Sequence, residues 1–218
     1  MDALPRIVKV IFGMDILPVY TPLGYYVCMY LWYSMVAFAH AIVLGATIIS
    51  KEERDRTAEF LYTMPYSRKT IISGKIIAAV INVLCMTIFT FLCIILTLVS
   101  QMNGESIMPL ILTTMIGMFF AQMLCLAIGL FFSSLFNYHR TAMSMAILFF
   151  ALSFVLAIVI EFVGNIEFLN FLTPFRYFFA PYVVTNGISS VYLLLSLFFT
   201  GVFVFLTYKL FEKRDIHC

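Results

Sequence analysis

The chain has 218 residues, 63% of them hydrophobic and only 11% charged, with a mean hydropathy of +1.05. Soluble domains run at about 45–50% apolar and about 25% charged residues, so the composition excludes a water-soluble enzyme and reads as an integral membrane protein. The formal net charge of +2 implies no nucleic-acid partner, because in such a protein the charges are sorted by side of the membrane.

In chain order, residues 1–22 interleave Ile7, Val8, Val10, Ile11 and Phe12 with Arg6, Lys9 and Asp15. That pattern fits a short helix lying at the interface or an ordinary lead-in to the first span. Pro5, Asp15, Pro18 and Pro22 stand where a cleaved signal peptide would have an apolar run. At about 20 apolar residues per spanning helix, spans are predicted near 23–49, 71–100, 108–136, 141–163 and 190–211. The first carries Ala37, Ala41 and Gly45 four residues apart, a ridge of small residues that admits a second helix closely, and Gly117 with Ala121 offers a similar spot in the third. Cys28, Cys85, Cys93 and Cys125 fall within spans and Cys218 in the tail, so they read as small hydrophobes without disulfides.

Between the first two spans, residues 51–75 hold Lys51, Arg54, Arg56, Arg68, Lys69 and Lys75. Inside this loop Thr57, Phe60, Leu61 and Met64 recur at helical spacing and put one apolar stripe on a short helix. Pro65 stops that helix, and Ser67 is placed to cap a new one starting at Arg68. The loop reads as a docking element. Together with the Asn137–Arg140 turn and the tail bearing Lys209, Lys213 and Arg214, it holds ten of the thirteen Lys and Arg residues. The positive-inside rule then puts the N-terminus outside and the C-terminus in the cytoplasm.

Residues 164–189 form the longest external stretch, rich in Phe and Tyr with Pro174, Pro181 and Gly187. Such density predicts short interfacial or re-entrant helices at the membrane–water boundary, forming a lid over an exit path. With no soluble domain or internal repeat, residues 1–218 read as one membrane domain.

Polar residues within spans are functional candidates, and here they are His40, Asn82, Gln122 and Glu161. A lone intramembrane His or amide more often bonds a neighbouring helix than lines a path, about two to one for the first three; Asn82 and Gln122 remain the candidates for a transport path. Glu161 lies at the end of its span, where it can reach water. None of these makes a catalytic constellation. Gly74-Lys75 fits a phosphate-binding loop poorly, because the first glycine of GxxxxGK[ST] would fall at Lys69 and Ile76 stands where Ser or Thr should hold magnesium. Glu52-Glu53 fits the membrane-protease pattern EExxxR no better, since Thr57 stands at the Arg position. No catalytic residue, metal or cofactor is expected.

Three motifs resemble the membrane subunit of an ABC-2 type ABC transporter. Glu52-Glu53, Thr57-Ala58-Glu59-Phe60-Leu61, Thr63-Met64-Pro65-Tyr66-Ser67-Arg68 and Gly74-Lys75 are similar to the family's cytoplasmic pattern of an acidic pair, T-x-E-x-L, P-x-S-R and G-K. Leu172–Tyr177 resembles its external Pro-aromatic segment, and Phe211–Ile216 its basic terminal box. Arg56 departs from the glycine usual before the coupling Thr. The resemblance implies an all-α polytopic permease of the type V exporter-like kind, in a bacterial or archaeal plasma membrane among its lipids. It implies a coupling helix over residues 56–64, with Glu52, Glu53, Thr57, Glu59, Phe60, Leu61, Met64, Pro65 and Arg68 facing a separate ATPase subunit, and a second permease subunit, identical or not. The family carries six spans behind a cytoplasmic amphipathic helix, which leads us to expect a further span upstream of Met1 or in a partner chain. A self-contained carrier or scaffold is the alternative, and inverted repeats and helices broken at the midplane would mark it.

Overall fold

The computed structural model describes residues 20–51, 67–98, 107–136, 138–164 and 167–212. The described residues are almost all helical and contain no strand: α1 Pro22–Ile48, α2 Arg68–Leu98, α3 Met108–Leu135, α4 His139–Val163, a 3₁₀ turn Glu167–Leu172, α5 Pro174–Tyr177, α6 Ala180–Asn186 and α7 Ser190–Glu212. Five of these helices, α1 to α4 and α7, are long and apolar enough to cross a membrane, and the protein is a multi-pass membrane protein. The sequence places all five spans. The helices α2 and α4 begin two or three residues earlier than the apolar runs because polar residues start them.

Local chemistry sets the ends. Thr21 Oγ1 accepts from the Gly24 amide at 3.1 Å with Pro22 at the first helical position, and Ser67 Oγ accepts from the Thr70 amide at 3.2 Å. Gly164 ends α4 at φ 73°, its amide donating to Ile160 O at 3.0 Å. A side chain is strained in that left-handed region, which suits glycine.

The centre of the bundle is α3, two thirds of whose spanning window (67%) is buried, against 11% for α7. Its closest neighbour is α1. A Cβ built on Gly45 would stand against Leu126 O and 2.8 Å from Leu130 N, and one on Gly129 against Ile42 O and 2.9 Å from Ala46 N. The two backbones touch where only glycine fits, and Ala37 and Ala41 continue the same buried seam.

The spans alternate in direction, which gives the bundle two unlike ends. At one end Lys75 Nζ donates to Ile49 O at 3.1 Å, Ser50 Oγ meets His139 Nδ1 at 2.8 Å, and Lys69 pairs with Glu212 at 2.8 Å. At the other, α5 and α6 tuck back into the bundle. Phe175 is buried among Phe38, Phe150 and Phe154, with ring centres 5.1, 5.3 and 5.3 Å away, and Phe178 packs on Gly117. This refines the boundary expectation: Phe168, Phe171 and Tyr182 are exposed, while Phe175, Tyr177 and Phe178 are core residues. The hydrophobic effect acts on the ring and not on its place in a motif, so the aromatics that reach α1, α3 and α4 anchor the segment.

Candidate functional site

Of the loop residues singled out above, Glu52, Glu53, Thr57, Glu59, Phe60, Leu61, Met64 and Pro65 lie outside the described residues, and Arg68 contributes its backbone as the first residue of α2. What the structure describes is the frame of spans from which residues 52–66 leave and to which they return. The Lys75 ammonium seats on the carbonyl of Ile49, the residue that caps the C-terminal end of α1, where a cation is favoured by the helix dipole. Ser50 ties the end of α1 to the start of α4 through His139. Tyr208 on α7 meets Ser73 on α2 at 2.8 Å, one turn along from the Lys69–Glu212 pair. That pair is exposed and contributes little alone. Together the contacts connect four spans at the end where the loop leaves and returns.

The helical start at Arg68 also settles Gly74-Lys75. These residues lie within α2, so their amides are in the helical ladder rather than in a loop that could cradle phosphate.

The intramembrane polar residues are dispersed. Gln122 is fully buried, and its Nε2 donates to Thr87 Oγ1 at 3.1 Å, joining α3 to α2; its Oε1 has no partner among the described residues. Asn82 is exposed on α2, about 140° around the helix from Thr87 at about 3.6 residues per turn. The structure does not bring Asn82 and Gln122 together. His40 is half-buried on α1, with Nδ1 unpartnered among the described residues. Those residues contain no cluster of three His, Cys, Asp or Glu that could hold a metal.

Sequence reasoning missed the partner of Glu161. Rather than merely reaching water from the end of its span, its carboxylate accepts from Arg176 Nη1. Arg176 Nε donates to Asn170 Oδ1 at 3.1 Å, and its guanidinium carbon stands 4.8 Å from the Phe179 ring centre. Arg176, one of the few bases on the predicted external side to which the end of Glu161's span points, was the available signal. Beside them Tyr177 stacks on Tyr192 with ring centres 5.5 Å apart and donates to Phe171 O. Burial, with Tyr192 adding to it, pushes its phenol up to about 12, so it stays a donor at physiological pH.

Missed too was the α3 side of the glycine crossing. Ala121, Cys125 and Gly129 repeat at four residues and carried that signal.

A family model described as an ABC-2 family transporter protein matches residues 12–216, nearly the whole chain. No curated protein matches it.

Proposed function

The chain belongs to the ABC-2 family of transporter proteins, and from that premise we propose that this ABC-transporter permease is driven by a separate ATPase subunit docked on residues 51–75 and exports its substrate along an interface with a second membrane subunit. The Thr57, Phe60, Leu61 and Met64 stripe enters a groove on the ATPase. Glu52, Glu53, Glu59 and Arg68 flank it with charge, and Pro65 ends the docking helix before α2 begins.

The observation that carries this reading is the frame around the loop. A push on the loop reaches α2 directly through the Ser67 cap, α1 through Lys75 and Ile49, α4 through Ser50 and His139, and α7 through Ser73 and Tyr208. Nucleotide-driven movement of one small element is thereby converted into movement of spans, which is what alternating access requires.

The second subunit fits the exposed side of α2. Ile81, Leu84, Ile88 and Phe89 are exposed there, and Asn82 lies among them. An amide facing lipid is costly, and a partner's polar group removes that cost. Of the two path candidates the geometry favours Asn82, because the Gln122 amide is committed to Thr87. A self-contained carrier draws no support from the described spans, each an unbroken helix.

The test is purification of the tagged full chain from its native membranes. The expected partner carries its own phosphate-binding loop, and the purified complex hydrolyses ATP. Substrate movement by the chain alone, in vesicles lacking any ATPase, would establish the carrier instead.

A further inference from the structure

Glu161 and Arg176, with Phe179 and Pro181, form the wall between two spaces at the α5–α6 end. On one side is an open bowl of about 350 Å³ that Thr185 and Asn186 also line. On the other is a cleft of about 40 Å³ between α1 and α4. The cleft follows α1 from Val27 to Phe38, a rise of about 16 Å at about 1.5 Å per residue. Its volume is only about three times what one water needs. A space lined over that stretch with so little free volume has room for no more than one hydrocarbon chain.

Its wall is effectively apolar. Leu31, Phe154, Ala157 and Ile158 line it, and its two hydroxyls are already committed, Ser34 Oγ donating to Leu31 O at 2.9 Å and Tyr30 OH facing the carbonyls of Thr114 and Phe178 at 3.4 Å. Among the described residues, the charged ones that line the cleft are Glu161 and Arg176, at its mouth. There Arg176 uses Nη1 and Nε of its five N–H donors, while Glu161 accepts Arg176 on Oε2, one of the two oxygens of a carboxylate that offers about four acceptor positions. Both members of the pair therefore keep capacity for a ligand of opposite charge.

We infer that this is a binding site for a zwitterionic phospholipid of the surrounding bilayer: one acyl chain fills the cleft, the phosphate takes the remaining Arg176 N–H groups, and the ammonium lies against Glu161 with the rest of the head group in the bowl. The pair's zero net charge selects the zwitterion. An anion alone would draw Arg176 away and leave a partly buried carboxylate unpaired, and a cation alone would do the converse; each costs free energy that a zwitterion avoids. The site is independent of how the transporter is powered, so its test requires no nucleotide.

The purified full chain, with whatever subunits accompany it, is reconstituted into phosphatidylcholine vesicles containing a trace of phosphatidylcholine bearing a photoreactive acyl chain, and the labelled residues are mapped by mass spectrometry. Label is expected on the α1 and α4 peptides around Leu31 and Ile158. It should fall about tenfold, the factor set by about 1.4 kcal/mol, in the Glu161→Gln/Arg176→Gln double variant and when a photoreactive fatty acid replaces the phospholipid. Ala157→Leu, which narrows the cleft and leaves the ion pair intact, should lose the label as well; this variant decides the matter if the double variant does not fold. Equal labelling in the folded variants, or by the fatty acid, would mean that only unselected boundary lipid contacts the cleft and would overturn the assignment.

Discussion

At the residue scale, the crossing of Gly45 and Gly129 fixes how the two most closely associated helices meet. Gly129→Leu would drive its side chain into the α1 backbone at Ile42 and Ala46. Overpacking of this kind costs about 1–3 kcal/mol, and more where backbone must separate. Gly201→Ala, with nothing within 4 Å of the added carbon, should stay within about 0.5 kcal/mol of the parent. Thermal unfolding in detergent compares the two, and equal stability would show that the helices are not in contact there. Half of this crossing was legible in the sequence, because Ala37, Ala41 and Gly45 make a local ridge. The other half was not: spacing alone does not say which of several small-residue runs on α3 meets it. Gln122 is similar, since its type marks a polar role and only the fold reveals Thr87 as its partner. Gln122→Leu removes one interhelical hydrogen bond, worth about 0.6 and at most about 1.7 kcal/mol in a membrane, together with an unpartnered carbonyl oxygen. ATP-dependent transport should survive it; loss of transport with unchanged stability would return Gln122 to the path.

At the scale of elements, the helices were most legible where an end has a chemical cause, as at Thr21, Ser67 and Gly164. Ser67 was placed from sequence as the cap of a helix starting at Arg68, and its hydroxyl accepts from Thr70 as expected. Ser67→Ala should cost about 1 kcal/mol and speed hydrogen exchange in the first turn of α2, with exchange in α3 unchanged. Unaltered exchange in that turn would mean the cap does not hold it. The segment from Glu167 to Asn186 was legible as short helices but not in its docking. Pattern alone does not separate an aromatic that sits at a water boundary from one that inserts between spans; Phe38, Phe150 and Phe154, which receive Phe175, come from two distant stretches of chain. The same non-locality hid the Glu161–Arg176 pair.

At the scale of the molecule, composition alone established a membrane protein, since no soluble core could use so much apolar surface. Exposed apolar faces on α2, α4 and α7 are ordinary against lipid, so the position of a second subunit has to come from a polar exception, and Asn82 is one. Asn82→Leu should weaken subunit association by about 3- to 20-fold, the equivalent of about 0.6–1.7 kcal/mol, with the single chain still folded. Subunit exchange between differently labelled complexes would measure it, and an unchanged rate would remove α2 from the interface. The central claim is that power enters through residues 51–75, and it is tested most directly by ATP hydrolysis of the reconstituted complex with Phe60→Asp. Removing one buried Phe contact costs roughly 1.5–3 kcal/mol before the inserted charge is counted. The variant should insert and fold as the parent does, yet neither retain the ATPase subunit nor show permease-dependent hydrolysis; a Phe60→Asp complex that keeps both would contradict docking through this loop.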